Sequence, residues 1–280
     1  MQQGFDPAFI PGRRVEPPVL SERVRATAYG YGALVHHRRY SLVFDQARGL
    51  AIFTAHNIDG GAMLDEGVVP RVDRFRLDPA LPRELQIDDA RGYRSNPWDR
   101  GHLVRRRSLH WGDPEEAAAA DSESFFWSNI APQHTDLHHS AWGQIEDWVL
   151  GLAERGAQRA CVFTGPVLTA DDPSVVNLPG ERAVRIPAGF WKVVALTHDG
   201  ALRVAAFLVW QRDFDRAEPV SFDPLLEQVR LTTIEFLTGL SFAALQDADP
   251  LRPSDGPLPF GDDAPRARAT AIRGPGDIIL

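Results

Sequence analysis

The order of apolar segments along this 280-residue chain constrains its fold more than any other feature. An amphipathic pattern predicts a helix over residues 135–151. Three apolar segments of strand length follow it, at 160–164, 190–197 and 202–211. The last two flank His198-Asp199-Gly200, and an Asp-Gly step between apolar runs is typical of a tight hairpin. Strands joined by hairpins and interleaved with single helices indicate an α+β fold, with a mainly antiparallel sheet flanked by helices.

Shorter patterns predict the remaining elements. Two strands with a turn at 46–49 are expected over 41–54, and a short helix over 115–120. A strand is expected over 125–130, and a helix over 224–238 closed by Gly239. From residue 246 onward the many Pro, Gly and Asp residues predict a loosely ordered tail.

Composition excludes several classes of protein. The single cysteine, Cys161, allows neither an intrachain disulfide nor a zinc module built from several cysteines. No apolar run approaches the roughly 20 residues that cross a bilayer, so no membrane association is expected. The first residues lack the basic start and apolar stretch of a secretion signal, which favours a cytoplasmic location in a bacterium. No glycine-rich phosphate loop stands at a strand-to-helix junction, which disfavours nucleotide-cofactor enzymes.

Charge is unevenly distributed along the chain. The net charge of −8 argues against a protein that coats nucleic acid. Residues 91–107 nevertheless contain six arginines and one acid, Asp99, and an acidic stretch without basic residues follows at 113–123. This contrast fits either a local cationic patch or two solvated faces of opposite sign.

Two segments carry residues suited to catalysis. The sequence NPWDRGH at 96–102 places a histidine that can accept a proton beside an arginine that can bind phosphate and a glycine that allows close backbone approach. The competing interpretation is a loop histidine with a local capping role. At the start of the predicted helix, His138 is either a metal ligand or a core histidine. Glu146, about 80° further round the helix, either accepts a hydrogen bond from metal-bound water or pairs with an arginine.

The chain resembles a known family in five blocks that occur in the same order. They are DRGH at 99–102, SNIAPQ at 128–133, Trp142 with Glu146, FTGP at 163–166 and FWK at 190–192. They are similar to the endonuclease G-like DNA/RNA non-specific endonucleases, the ββα-metal or His-Me finger group. The resemblance runs from about residue 34 to residue 240. We therefore expect an N-terminal extension at 1–33, an endonuclease domain at 34–245 and the tail at 246–280.

The resemblance implies a hydrolytic mechanism. His102 would be the general base that activates water against a phosphodiester, so activity should fall below pH of roughly 6 to 7. Arg100 would bind phosphate, Asn129 would support the site, and Glu146 would hold metal-bound water. One divalent metal would stabilise the developing charge, and the products would carry 5′ phosphates.

The resemblance also implies further arginine contacts to substrate. Upstream, Arg71, Arg74 and Arg76 are candidates for a second phosphate-binding arginine, and Arg71 is preferred because PRVDRF at 70–75 matches the family's block best. The 91–107 stretch becomes the expected substrate groove. Its substrate-binding residues are expected to be Arg94, Arg105 and Arg106.

One position departs from the family pattern. Where the family has an asparagine that binds the metal directly, this chain has His138. The expected ion is Mg²⁺ or Mn²⁺, and imidazole shifts the preference toward a transition metal because Mg²⁺ prefers hard oxygen ligands. His139, about 100° away on the helix, is expected to lie off the site.

No base-reading motif is present, so the expected substrates are both DNA and RNA without sequence preference. Two alternatives stay open: a catalytically inactive nucleic-acid-binding member of the same fold, and a metal phosphoesterase acting on a small substrate. A cytoplasmic nuclease endangers its host, which suggests a regulatory or inhibitory partner. The sequence is also compatible with a homodimer.

Overall fold

The computed structural model describes residues 3–94, 98–137, 142–176, 183–211, 226–252 and 269–280. Within these residues the strands are β1 (Val19–Leu20), β2 (Val35–His37), β3 (Tyr40–Asp45), β4 (Leu50–Asp59), β5 (Trp98–His102), β6 (Ile130–His134), β7 (Arg159–Val167), β8 (Ser174–Val175), β9 (Val184–Arg185), β10 (Gly189–His198), β11 (Ala201–Trp210), β12 (Leu226–Val229), β13 (Leu240–Ser241) and β14 (Thr270–Ala271). The α-helices are α1 (Glu22–Arg25), α2 (Asp89–Gly92), α3 (Pro114–Ser124), α4 (Thr135–Leu137), α5 (Gly143–Gly156) and α6 (Leu231–Thr238).

Eight of the strands form one sheet in the order β14-β12-β11-β10-β7-β4-β3-β2. Every neighbouring pair in this sheet is antiparallel. The predicted α+β fold with a mainly antiparallel sheet is therefore confirmed. The strands predicted over 41–54 and after residue 159 all lie in this sheet.

The central hairpin joins β10 to β11 through a two-residue turn. Asp199 and Gly200 both have positive φ, 49° and 74°, and His198 pairs with Ala201 across the turn. Positive φ at both central residues gives a turn whose twist matches that of the strands. The Asp-Gly step therefore sets the register of the strands that carry much of the core.

The sheet has a hydrophobic core on each face. On one face, Trp148 of α5 packs edge-on against Phe207 of β11, with ring centroids 5.4 Å apart. On the other face, α6 and the N-terminal segment pack against Trp191 and Phe163. The two-stranded ribbon of β5 and β6 contributes Trp98 and Ile130 to the same core as α5. The ribbon and α5 therefore lie on one side of the sheet.

The helix predicted over 135–151 corresponds to α4 and α5. Its predicted buried stripe is confirmed at Trp142, Ile145 and Val149, which are at most 4% exposed. The fourth member of the stripe, His138, lies outside the described residues. The short helix predicted over 115–120 is confirmed within α3, where Asp113 accepts hydrogen bonds from the amides of Glu115 and Glu116.

Two predicted elements are wrong in part. Residues 127–129 form a 3-10 turn, and the strand begins only at Ile130, so the strand predicted over 125–130 is misplaced. The helix predicted from residue 224 begins at Leu231, because Leu226–Val229 pairs as a strand with β11. The predicted end of this helix at Gly239 is confirmed, and Gly239 has φ of 71°.

Two described parts of the predicted tail, 246–252 and 269–280, contain regular structure where loose order was expected, and residues 253–268 lie outside the described residues. Residues 243–248 form a 3-10 helix, and β14 pairs with β12 at the edge of the sheet. Side chains from this segment, including Ile272, join the core beside α5. Among the described residues, no helix is long and apolar enough to cross a membrane.

Candidate active site

The β5–β6 ribbon positions His102 and Arg100 on one side of the same strand. His102 pairs with Ile130 and Arg100 pairs with Pro132. Residues two apart in a strand point to the same face, so both side chains project from the same surface of the ribbon. There they share an aromatic neighbour: the centroid of the Phe75 ring lies 5.8 Å from that of His102 and 5.4 Å from the Arg100 guanidinium carbon.

Aromatic rings fix the orientation of the half-buried His102 imidazole. Phe125 meets it edge-on, with ring centroids 5.0 Å apart and an interplanar angle of 89°. Phe75 packs against another side and itself stacks on Trp127, with centroids 5.1 Å apart. The contacts of Phe75 and Phe125 with His102 have no local sequence signal, because Phe75 lies 27 residues before His102 and Phe125 lies 23 residues after it. An imidazole held in this way needs little reorganisation to act as a proton acceptor.

Gly101 is required by the ribbon itself. A Cβ atom at this position would lie 2.1 Å from Cδ of Gln133, a residue that is fully buried on the opposite strand. The sequence pattern predicts that this glycine allows close approach of a ligand. The structure gives a different reason, which is the packing of Gln133 across the ribbon.

Arg100 is held by a carboxylate at the surface. Its guanidinium donates to Asp89, with an Nε–Oδ1 distance of 3.0 Å, and the Arg100 side chain is 44% exposed. The hydrogen bond from Arg100 lowers the pKa of Asp89 below its ordinary value. Because this ion pair is solvent-exposed, a phosphate oxygen can compete with the carboxylate for the guanidinium.

Asn129 anchors the chain that follows His102. Its side-chain oxygen accepts from the Val104 amide at 2.9 Å, and its amide nitrogen donates to the carbonyls of Val104 and Ser124 at 3.1 and 2.9 Å. The Asn129 backbone carbonyl accepts from the Leu103 amide. Asn129 is fully buried, and these four hydrogen bonds hold the residues that follow β5 in place.

Glu146 lies in the first turn of α5 and pairs with Arg105, which follows β5 of the ribbon. Arg105 Nε lies 3.8 Å from Glu146 Oε2, and Arg105 Nη1 lies 2.6 Å from Asp147 Oδ1. The other carboxylate oxygen, Glu146 Oε1, is buried and makes no hydrogen bond within the described residues. The cation nearest to this oxygen is the ammonium of Lys192, whose Nζ lies 3.5 Å away.

The predicted upstream arginines differ in their surroundings. Arg71, the preferred one, forms an exposed ion pair with Asp73. Arg76 packs over the Phe126 ring and donates to the Ser122 carbonyl, so its guanidinium is engaged within the protein. Arg74 is exposed and directly precedes Phe75, the ring that contacts both His102 and Arg100.

The predicted substrate-binding arginines are largely paired with acids. Arg106 donates to the buried Asp121 at 2.7 Å, so its guanidinium serves the packing of α3. Arg105 pairs with Glu146 and Asp147 of α5. Arg94 is the most exposed of the three, at 65%, and lies 3.5 Å from Asp89. The cationic stretch at 91–107 is therefore compensated by neighbouring carboxylates over much of its length.

The predicted metal ligand, His138, lies outside the described residues, as does His139. Across the residues that the structure does describe, no group of three or more His, Cys, Asp or Glu side chains is arranged to hold a metal ion.

Comparison with known proteins agrees with this geometry. Residues 22–249 match the family described as DNA/RNA non-specific endonuclease. The human mitochondrial endonuclease G is 28% identical over 222 residues, which cover 76% of this chain and 70% of that protein. An uncharacterized protein, y4fB, from Sinorhizobium fredii is 32% identical over 234 residues, which cover 76% of this chain. The chain spans only about a third of y4fB.

The fold has a counterpart among solved structures. A crystal structure of the EndoG/EndoGI complex, described as showing the mechanism of EndoG inhibition, aligns with a TM-score of 0.57. The alignment covers 78% of this chain and 89% of that chain at 21% identity. The predicted ββα nuclease fold is confirmed.

Proposed function

Because this chain belongs to the DNA/RNA non-specific endonuclease family, we propose that it hydrolyses phosphodiester bonds of both DNA and RNA, leaving 5′ phosphates. His102 is the proposed general base, and His138 is the proposed ligand of one divalent cation. The observation that carries the proposal is the shared contact of His102 and Arg100 with Phe75 on one face of β5.

The arrangement of side chains supports in-line attack on phosphorus. Arg100 binds a phosphate oxygen by releasing Asp89, which keeps the guanidinium extended until substrate arrives. His102 takes a proton from the attacking water, and its neutral form is needed for this step. The rings of Phe75 and Phe125 hold the imidazole so that its orientation does not change on binding.

A divalent cation is expected for this family, and when bound it would neutralise charge on the scissile phosphate and on the leaving oxygen. In this chain His138 would hold it, and Glu146 would accept a hydrogen bond beside it. An imidazole ligand favours Mn²⁺ or another transition metal over Mg²⁺.

The proposal extends to a protein partner. The neighbouring solved structure is a complex of EndoG with EndoGI described in terms of inhibition. We propose that this chain is likewise restrained by an inhibitory protein. Loss of viability on expression in a heterologous cytosol that lacks such a partner is the expected result, and harmless accumulation of active enzyme would contradict it.

The proposed function is tested by digesting supercoiled plasmid and RNA across a panel of Mg²⁺, Mn²⁺, Co²⁺ and Zn²⁺. Both substrates should be cut with a divalent metal and neither with EDTA, and Mn²⁺ should outperform Mg²⁺. His102→Ala and His138→Ala should each lose at least about 10²-fold in activity. His198→Ala, at the β10–β11 turn, is the matched control and should retain full activity.

The same panel separates the alternatives. Binding of nucleic acid without cleavage in any metal would show an inactive binding member of the fold. Hydrolysis of a small phosphodiester with no action on either polymer would show a phosphoesterase. Equal rates in Mg²⁺ and Mn²⁺ would contradict the proposed metal preference alone.

A further inference from the structure

Lysine is used once in this chain, against 29 arginines. This residue, Lys192, lies in β10 within the FWK block, and it is 2% exposed. The other cationic positions, many of them at the surface, are all arginine. The one lysine side chain of this arginine-rich protein is therefore buried.

The ammonium group of Lys192 contacts α5 and β7 together. Its Nζ lies 3.5 Å from Glu146 Oε1 and donates to Thr164 Oγ1 at 3.0 Å. It also lies 4.6 Å from the centroid of the Trp142 ring, just before the first residue of α5. These contacts place a cation directly against the carboxylate oxygen of Glu146 that makes no hydrogen bond in the described part of the chain.

Burying a charge that is not fully compensated costs free energy. The pKa of Lys192 reflects this cost. Burial lowers the pKa of Lys192 from its ordinary value, whereas the Glu146 carboxylate acts in the opposite direction. The ammonium also contributes to the low pKa of His56, which is caused mainly by the burial of that imidazole. An apolar residue would fill this position without these penalties, so a role in fold stability alone does not explain the lysine.

We propose that Lys192 is a positioning residue that fixes the carboxylate of Glu146 for its role beside the catalytic cation. The proposal rests on the proposed function, in which Glu146 acts next to the metal. Lys192 holds Oε1 from the sheet while Arg105 approaches Oε2 from the ribbon side, so the carboxylate is confined between two cations. These two contacts restrain the rotation of the Glu146 side chain.

A compact ammonium suits this position better than a guanidinium. Lysine ends in a point charge with three rotatable donors, whereas arginine requires a planar fork with more space. Here one donor reaches Thr164, and the cation faces both a carboxylate and the face of an indole ring. We therefore expect Lys192→Arg to fail to restore function, although it keeps the charge.

The first test is a double-mutant cycle on the rate of cleavage. Lys192→Met and Glu146→Gln should each lower kcat by about 10- to 100-fold, as losses next to a metal ligand typically do. The double variant should be no slower than Glu146→Gln within about threefold, because Lys192 acts only through Glu146. Effects that multiply, or a Lys192→Met variant within twofold of wild type, would overturn the proposal.

The second test uses metal-free protein and thermal unfolding instead of activity. Lys192→Met leaves Glu146 buried without its main counter-charge, so the melting temperature should fall by about 5 to 10 °C. The double variant should regain a large part of this loss, because neutral Gln removes the uncompensated charge. Equal losses in the single and double variants would show that the two groups are not coupled.

Val194→Ala is the matched control, since Val194 is fully buried two residues along the same strand. It should lower the melting temperature and leave kcat unchanged, which separates general destabilisation from positioning.

If Lys192→Met does not fold, the wild-type protein provides a second measurement, because its single lysine gives one ¹³Cε signal in lysine-labelled protein. Addition of Mg²⁺ should shift that signal in wild type and not in Glu146→Gln, and no shift in wild type would overturn the proposal.

The outcomes distinguish this inference from the function on which it rests. An inactive wild-type protein would contradict the proposed function. Thermal unfolding of the single and double variants without metal would still measure the coupling of Lys192 and Glu146. An active wild-type protein that needs His102 but tolerates Lys192→Met would remove only the inference.

Discussion

At the scale of single residues, the sheet face under α5 carries polar groups inside an apolar core. His56, Thr164 and Lys192 lie on adjacent strands and are each at most 2% exposed. Burial lowers the pKa of His56 well below 6.5, so the imidazole is neutral in the folded protein. In the unfolded chain the same group binds a proton near its ordinary pKa of about 6.5.

This difference makes stability depend on pH. The unfolded chain takes up a proton below pH ~6.5 and the folded chain does not, so the contribution of His56 is present above that pH and is lost as the pH falls. Between pH 7.5 and 5.5 the free energy of unfolding of wild type should fall by ~1.4 kcal/mol more than that of His56→Leu. Urea unfolding at the two pH values measures both, and equal losses in the two proteins would contradict the account.

At the scale of elements, the β5–β6 ribbon carries the proposed base, His102, and the proposed phosphate-binding residue, Arg100. Its packing is tight at one point. Gly101 faces the buried side chain of Gln133 so closely that no Cβ fits between them. Asn129 then fixes the residues that follow β5. The position of His102 thus depends on contacts within the ribbon as well as on the two rings beside it.

Gly101→Ala should therefore destabilise the fold by about 1 to 3 kcal/mol through overpacking and should also lower kcat. The cost should shrink when Gln133 is replaced by alanine, because the added methyl then has room. Gly61→Ala, where a Cβ meets nothing closer than 3.4 Å, is the control and should change stability by less than about 1 kcal/mol. Full additivity of Gly101→Ala and Gln133→Ala in urea unfolding would show that the two residues do not compete for space.

Sequence patterns predicted the elements whose own residues determine them. The β10–β11 hairpin follows from apolar runs around Asp199-Gly200, and the buried stripe of α5 follows from its spacing. Strand β12 was mistaken for the start of α6, because its four residues become a strand only by pairing with β11. The DRGH block indicated His102 and Arg100, whereas the contact between Lys192 and Glu146 depends on how β10 meets α5 and has no local signal.

At the scale of the whole molecule, a segment beyond the family match completes the sheet. The match ends at residue 249, and β14 pairs with β12 as the outermost strand. The fully buried Gln228 exchanges two hydrogen bonds with the backbone of Ile279, at 2.8 and 2.9 Å. The segment 269–280 therefore covers a sheet edge and one end of the core beside α5.

Deletion of residues 269–280 should lower the melting temperature by about 5 to 10 °C, since it removes buried apolar contacts and leaves Gln228 without these partners. The uncovered edge should also promote self-association, which size-exclusion chromatography detects. Ile279→Ser keeps the backbone hydrogen bonds and serves as the control, with an expected change below about 2 °C. An unchanged melting temperature after the deletion would show that the segment is not part of the folded unit.

The most direct measurement of the catalytic account is the single-turnover rate of duplex DNA cleavage by wild type and His102→Ala at saturating Mn²⁺. Loss of the general base predicts a decrease of about 10²- to 10⁴-fold, with DNA affinity unchanged. A rate for His102→Ala within tenfold of wild type would contradict the assignment of His102 as the base.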